Sequence, residues 1–567
     1  MKNLKMKNLK IYGVFVAAFL SLALHSVVCL AQWATDPSLN NPVCTLESNQ
    51  EKTAIASDGK GGTYIVWVDG RAPGPDIYAQ HIDATGAVKW TVDGTPVCDA
   101  IDYQESPAII PDGSGGAIIT WADFRNGIDY DIYAQHVDAN GLMLWGINGR
   151  IICQGIGNQT RPVIASDGAD GAIIAWIDQS ILEARDFGIH GQRIDANGQI
   201  LWKGSGFSVI LADTVGTKSN AAIIADGNGG AIVTWTDFRS YYGGNSGTDI
   251  YAQRVDGTGA VKWGHDGTIV CKAERFEDFP VLVSDGRGGA FITWQDDRNG
   301  VDQNIYAQRM SIGGSALWAK NGIVICDVVK QQTYPVIVSD QSGGAIIAWN
   351  DLRDFGGSAI YAQRVNGSGN TQWYGNGYKI SAGDSKSAAS IIPDGQGGAI
   401  IACESYSSST SDIYATRIDN SPGILWTSVI SSSAWSQKIP HLVPDYGGGA
   451  ILTWEDYRTN DNIDIYAQHV KSDGVLGNST FTGIQGFSES AVSVYPNPVV
   501  KDLLIDVSSL SLLEQVEVTL LDLTGRKLKT TLGNGIIRMN LDEYPPSAYM
   551  LKIADGKQII IKKIIKN

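Results

Sequence analysis

The sequence predicts an all-β protein: a closed ring of eight four-stranded sheets followed by a small β-sandwich. Three observations carry this. First, the stretch from Ala108 to Cys153 (AIIPDGSGGAIITWADFRNGIDYDIYAQHVDANGLMLWGINGRIIC) strings short β-branched and aromatic runs between Gly, Asp and Asn turns, the pattern of an antiparallel sheet of four strands, here A to D. Second, the third strand recurs as IYAQ at Ile77, Ile132, Ile250, Ile305, Ile360 and Ile465, as IHGQ at Ile189 and as IYAT at Ile413. These eight copies lie 52 to 61 residues apart. A repeat of about 50 residues built from four strands implies a radial β-propeller. Third, seven copies end in a D strand carrying Trp90, Trp145, Trp202, Trp263, Trp318, Trp373 or Trp426, and the eighth does not. The missing strand stands at the other end, where QWATDPSLNNPVC (residues 32–44) echoes KWTVDGTPVC (residues 89–98). Residues 33–44 should therefore close the last blade and pair its open edge.

Ahead of the ring, residues 1–31 have a Lys-rich start, an apolar stretch over residues 11–24 and small residues before Gln32. They read as a secretory signal peptide cleaved after Cys29-Leu30-Ala31. Val28 stands where lipidation of Cys29 would want a small residue. No other stretch is long and apolar enough to span a membrane. Expected boundaries are 1–31 signal peptide, 32–474 propeller, 475–491 a small polar linker and 492–567 a C-terminal domain.

Gly is abundant at 66 residues and charged residues are few at 18%, as turn-rich β-structure requires. The formal charge is −16, but the signal carries four Lys and residues 488–567 have ten Lys/Arg against nine Asp/Glu. The residues between therefore hold −21, which repels phosphate backbones and excludes general nucleic-acid binding. Of seven Cys, Cys44, Cys98, Cys153, Cys271 and Cys326 occupy one equivalent position near the end of the outer strand. Equivalent points on neighbouring blades diverge beyond the ~7 Å that a disulfide spans, so they are expected as buried thiols. Cys403 falls where other copies have an inner Trp.

Along each blade, strand A ends in a turn such as ASDGKGG (Ala56) or PDGSGG (Pro111), in which Gly supplies the hairpin conformation. Strand B ends in W-x-D-x-R: Trp67/Asp69/Arg71, Trp121/Asp123/Arg125, Trp235/Asp237/Arg239, Trp294/Asp296/Arg298, Trp349/Asp351/Arg353 and Trp454/Asp456/Arg458. Six copies of one pair read as structural ion pairs or turn formers between blades rather than as a catalytic centre. Strand C carries Gln80, Gln135, Gln192, Gln253, Gln308, Gln363 and Gln468, each followed by His or Arg. Because His81, His136 and His469 alternate with Arg193, Arg254, Arg309, Arg364 and Arg417, none is a general base. Two residues on lie Asp83, Asp138, Asp195, Asp256 and Asp419, read as the acidic partners of a local pair. The Asp-rich turns contain no EF-hand loop, and no Cys or His metal spacing appears, so neither metal nor cofactor is expected.

The blade pattern DG…W-x-D-x-R…DIY…D-x-x-G resembles the WD-like repeats of TolB-type propellers, which are interaction modules. DATGAVKW (residues 83–90) and DANGLMLW (residues 138–145) resemble the tryptophan-docking motif of eight-bladed quinoprotein dehydrogenases, in a turn one residue shorter. Both resemblances cover roughly residues 33–475 and imply fold; the chain has no vicinal Cys pair for quinoprotein chemistry.

In the C-terminal stretch, YPNP (Tyr495, Pro496, Asn497, Pro498), DLTGR with Gly525, and the closing GKQIIIKKIIK with Lys562 and Lys563 resemble the C-terminal sorting domain of type IX secretion cargo. Ala548 stands where that family has Gly. The resemblance implies the type IX secretion machinery as a partner, passage through the periplasm, and release or attachment at the outer-membrane surface.

The A–B and C–D turns are short and uniform, whereas the B–C and D–A loops vary, as in RAPGPD (Arg71), RSYYGGNSGTD (Arg239), QSILEARDFG (Gln179), KAERFEDF (Lys272) and DVVKQQTY (Asp327). Diverse loops on a uniform scaffold point to recognition. Tyr241 and Tyr242, on a Gly-rich B–C loop, are the candidate ligand contacts. The expected function is a secreted or surface-displayed monomeric binding module for a protein or glycan. The alternative is a hydrolase or lyase with its site in the central funnel, although no non-repeating catalytic cluster is legible.

Overall fold

The computed structural model describes residues 32–566, apart from 180–186, 203–207, 244–246, 355–356, 382–385, 408, 479–492, 508–515, 523–525, 534–535 and 555–558. The expected signal peptide, most of the expected linker, most of the Gln179 loop and Gly525 lie outside the described residues. Eight four-stranded antiparallel sheets fill the repeat region. Sheet 1 comprises Gln50–Ser57, Thr63–Ala72, Gly74–Ile82 and Thr95–Cys98. Sheets 2 to 7 begin at Gln104–Pro111, Gln159–Ser166, Lys218–Ala225, Glu277–Ser284, Gln332–Ser339 and Lys386–Pro393. Sheet 8 comprises Gln437–Pro444, Ala450–Asp456 and Asp464–Val470, and its fourth strand is Asn41–Cys44, paired through Asn41↔Ala467 and Cys44↔Ile465.

The first strand of each sheet packs on the first strand of the next, and that of sheet 8 packs on that of sheet 1, so the ring of this β-propeller is closed. Second strands such as Ala117–Asp123 (AIITWAD) and Ala345–Asp351 (AIIAWND) are buried at every residue. Each is covered on both faces by neighbouring sheets, which is why these strands read as continuous apolar runs without alternation.

A tryptophan latch joins every sheet to its successor. The Nε1–H groups of Trp90, Trp145, Trp202, Trp263, Trp318, Trp373 and Trp426 donate to Ala139, Ala196, Gly257, Ile312, Gly367, Asn420 and Ser472 carbonyls at 2.9–3.2 Å. Trp33 is the eighth latch: only 1% exposed, it donates to the Ala84 carbonyl of sheet 1 at 3.1 Å. Gly141 shows why these turns require glycine. Its φ is +84°, and an added Cβ would stand 2.9 Å from the Trp90 ring.

The C-terminal region has a four-stranded sheet (Lys527–Gly533, Val516–Leu521, Ser547–Ala554, Ile559–Lys566) and a three-stranded sheet (Ser493–Tyr495, Asp502–Asp506, Ile536–Asn540). Leu503, Ile505 and Met539 from the smaller sheet and Val518, Leu520 and Leu551 from the larger share one buried core.

Candidate functional site

The repeated polar residues form scaffold. In six sheets the strand-B Trp donates to the Asp two residues on at 2.7–2.8 Å, and the Arg after it holds the same carboxylate through Nε at 2.7–2.9 Å. Each guanidinium lies 3.5–3.9 Å from the centre of the strand-C Tyr ring. The pairs lie within one sheet, not between sheets as the sequence suggested. Their link to the preceding sheet is the thiol: Arg71, Arg125, Arg298 and Arg353 reach Cys44, Cys98, Cys271 and Cys326 at 2.9–3.4 Å. All described cysteines are buried and unbridged, and burial pushes the Cys44, Cys98 and Cys326 thiols up to about 12.

The basic residues of strand C have different partners from those expected. His81, His136, Arg193, Arg254, Arg309, Arg364, Arg417 and His469 each pair with the Asp of the A–B turn (Asp58, Asp112, Asp167, Asp226, Asp285, Asp340, Asp394 and Asp445) at 2.6–3.0 Å. Asp83 and Asp138, assigned to that role from sequence, instead accept backbone N–H groups of their own C–D turns at 2.8–3.1 Å. The A–B turn Asp serves both purposes: Asp58 and Asp112 accept their own turn's N–H groups at Oδ1 and meet the imidazole at Oδ2, because that turn folds back to the same end of the sheet.

Sheet 3 departs from the repeat with His190 in the Tyr position. Its Nδ1 lies 3.0 Å from Ser208 Oγ and 3.3 Å from Asp178 Oδ2. Both partners meet the same ring nitrogen, so the trio lacks the relay geometry of a nucleophilic triad, and burial holds His190 below the usual imidazole range.

The non-repeating chemistry gathers where the first strands begin, on the side of the B–C and D–A loops. The third residue of these strands has φ of +51° to +55° in seven sheets: Lys52, Ser106, Arg161, Asn220, Phe279, Tyr334 and Ile439. A bulge in the pairing with the second strand falls at this place. One backbone conformation thus presents seven different side chains in a collar around the ring axis. Contacts join the collar at three places between neighbouring sheets: Lys52–Glu105 at 3.1 Å, Asn220 to Asp278 at 2.8 Å, and Phe279 edge-to-face with Tyr334 at 5.2 Å. Second-strand side chains pin several collar backbones from the preceding sheet. Glu455 accepts from Lys52 N at 2.7 Å, Glu404 from Ile439 N at 2.8 Å, and Gln295 from Tyr334 N at 3.2 Å.

Two of these pins are buried carboxylates on adjacent sheets. Glu404 also accepts from Tyr406 Oη at 2.5 Å. Burial raises Glu455 above the ordinary carboxylate range; Lys52 N–H opposes the rise, and Glu51 and Glu404 add to it. Glu404 stands in the sheet where Cys403-Glu404-Ser405 replaces W-x-D. Sequence reading missed the collar, although its signal was present: within a repeated strand, the third residue differs in every copy.

Tyr241 and Tyr242 lie on one helical turn, Arg239–Tyr242, rather than in an irregular loop. Arg239 N–H is held by Asp237 Oδ1 at 2.9 Å, and the turn ends at Gly243, whose N–H reaches Arg239 O at 3.0 Å. The two rings meet edge-on at 5.5 Å, and Tyr241 approaches Phe276 of the neighbouring D–A loop at 6.3 Å. All three are 41–48% exposed. A Cβ at Gly247 would fall 1.5 Å from Arg275 O, so at this point the two loops run backbone against backbone.

Among the described residues, two acidic clusters have metal-ligand composition. Asp213, His265 and Asp266 form a surface group. Cys271, Glu277 and Asp296 are buried, but the Asp296 carboxylate is already engaged by Trp294 and Arg298. In the C-terminal region, Asn497 ties YPNP to the closing strand: its Nδ2 donates to Lys563 O at 2.9 Å, and its Oδ1 accepts from Ile565 N at 2.8 Å. Lys562 and Lys563 lie on that strand, and Tyr495 is 41% exposed.

Residues 493–567 match the family model of the secretion system C-terminal sorting domain. The chain is thus marked for export, to a secreted or outer-membrane surface location, and for interaction with the type IX machinery. No helix among the described residues is long and apolar enough to cross a membrane. No curated protein matches the chain. Similar solved structures include a family PL25 polysaccharide lyase, an ulvan lyase bound to -[GlcA(1-4)Rha3S]- (TM-score 0.41, 10% identity, covering 79% of this chain and 98% of that one). Others are the GH93 α-L-arabinofuranosidase of Fusarium graminearum with arabinobiose (0.32, 12%, 55% and 93%) and a Hadza microbial sialidase (0.32, 12%, 71% and 76%). Likenesses at this level carry no argument about activity.

Proposed function

We propose that this chain is a secreted or surface-displayed binding module whose propeller engages an extracellular protein or glycan through the variable-loop side. In this reading residues 1–31 are a signal peptide, residues 32–474 an eight-bladed propeller with TolB-type repeats, residues 475–491 a linker, and residues 492–567 the sorting domain. One observation carries the reading: scaffold positions repeat from sheet to sheet, while the collar residues and the neighbouring loops change chemistry at every step. Tyr241, Tyr242 and Phe276 supply exposed aromatic area at low entropic cost, the composition of a binding anchor. The test is capture of cell-surface proteins and glycans by the purified chain. Tyr241→Ala with Tyr242→Ala should leave the melting temperature within about 1 °C and weaken retention by ten-fold or more, since each truncated anchor is worth about 1–2 kcal/mol. A large loss of stability with retention intact would make the tyrosines packing residues.

A second reading, a hydrolase or lyase with its site in the funnel, is favoured by Glu404 and Glu455, two buried carboxylates on adjacent sheets of the collar. Polysaccharide turnover that is lost in Glu455→Gln would support it.

A further inference from the structure

We propose that the collar is a binding site for a neutral polysaccharide, with Tyr334 and Phe279 as the surface on which a sugar ring lies. This rests on the binding reading above and narrows it to one place and one ligand class.

The backbone singles the collar out. A left-handed φ is uncommon at residues other than Gly, and it is a true outlier for bulky or β-branched side chains such as Phe279, Tyr334 and Ile439. The conformation turns each third side chain out of the stack of sheets, and the Gln295–Tyr334 and Glu404–Ile439 hydrogen bonds hold it there.

The side chains indicate the ligand. Tyr334 is 53% exposed while its ring meets that of Phe279 edge-to-face at 5.2 Å, so the pair presents aromatic surface to solvent. Planar hydrogen-bonding groups adjoin both rings: Asp278, paired with Asn220, accepts from Phe279 N at 2.8 Å, and the Gln295 amide accepts from Tyr334 N at 3.2 Å. An aromatic face flanked by planar amides and carboxylates matches a pyranose or furanose, which has an apolar C–H face and a rim of hydroxyls that both donate and accept. The opposite sector of the collar carries Glu51, Glu105, Glu404 and Glu455 against Lys52 and Lys438. With Asp278 and Arg161 added, carboxylates outnumber cations by five to three, which disfavours a polyanion, while the sector of Asn220, Phe279, Gln295 and Tyr334 offers mostly uncharged groups, as a neutral polymer requires.

The test is affinity electrophoresis of the full secreted chain in gels containing laminarin, xylan, arabinan or galactomannan, with alginate and polygalacturonate as anionic controls. At least one neutral polymer should retard the chain, and the two anionic ones should not. Tyr334→Asn installs the residue that sheet 4 uses at this position and suits the left-handed φ, so the variant should fold with its melting temperature unchanged or raised. It should lose retardation at least ten-fold, whereas Tyr334→Phe keeps most of it. Absence of retardation by all four neutral polymers, retardation by the anionic ones alone, or full retardation of Tyr334→Asn would overturn the proposal. Continued capture of a cell-surface protein that depends on Tyr241 and Tyr242 would then leave the broader binding reading standing and show a peptide or protein ligand instead.

Discussion

Replacing Glu277 by Gln should remove a pH dependence that one sheet imposes on the whole ring. Glu277 is fully buried at the first position of its strand, where other sheets place Gln50, Gln159 and Gln332. Those amides donate to the carbonyl two residues earlier, at Ser48, Gly157 and Lys330, at 2.6–2.8 Å. Lys218 makes the same bond to Gly216 O at 2.7 Å. A carboxylate cannot donate; a neutral carboxyl can. Burial, reinforced by Asp296, pushes Glu277 up to about 9 from 4.5, and its Oε1 has no partner among the described residues. Between these two values the folded chain holds a proton that the unfolded chain releases, so stability falls as pH rises from 4.5 towards 9. At 1.36 kcal/mol per pH unit, keeping Glu277 neutral costs about 3 kcal/mol at pH 7 and less than about 1 kcal/mol at pH 5. Glu277→Gln should therefore be more stable by these amounts, a gain of about 1–2 °C per kcal/mol in a ring of this size. Calorimetry of both proteins at one scan rate from pH 5 to 8 should show the gap in melting temperature widening with pH. The reverse change, Gln332→Glu, should be destabilised at pH 7 and recover as pH falls. A gap that stays constant from pH 5 to 8 would refute the assignment of a neutral buried carboxyl.

Two further outcomes follow from closure and export. Trp33→Ala removes a fully buried indole and the bond to Ala84, and should cost about 3–5 kcal/mol, read as a lower midpoint in denaturant. Loss below 1 kcal/mol would mean that the N-terminal strand does not hold the ring shut. Removal of residues 492–567 should leave the propeller in the periplasm, and fusion of those residues to a reporter should carry the reporter out; surface delivery of the truncated chain would contradict the sorting role.

Much of the architecture was legible because repeats report themselves. Trp33 could be assigned to the last sheet from its echo of Trp90, since a latch needs the same residue at every joint. Partners were harder to read. The spacing of His81 and Asp83 suggested a pair, but Asp58 takes the imidazole because the A–B turn folds back to the same end of the sheet. Glu277 looked like one acid in a loop; only burial against Asp296 makes it a carboxyl that keeps its proton.

The sequence by itself determined the four-strand unit, its eight copies, the tryptophan that marks each outer strand, the closing N-terminal strand and the sorting domain. Each depends on local spacing and on identical residues in equivalent places, which one dimension records. The tertiary structure alone decided which carboxylate meets which base, that Tyr241 packs towards Phe276, and that seven unlike residues form one collar. Those facts depend on φ at a bulge and on side chains meeting across sheets, and neighbouring collar residues lie about fifty positions apart in the chain.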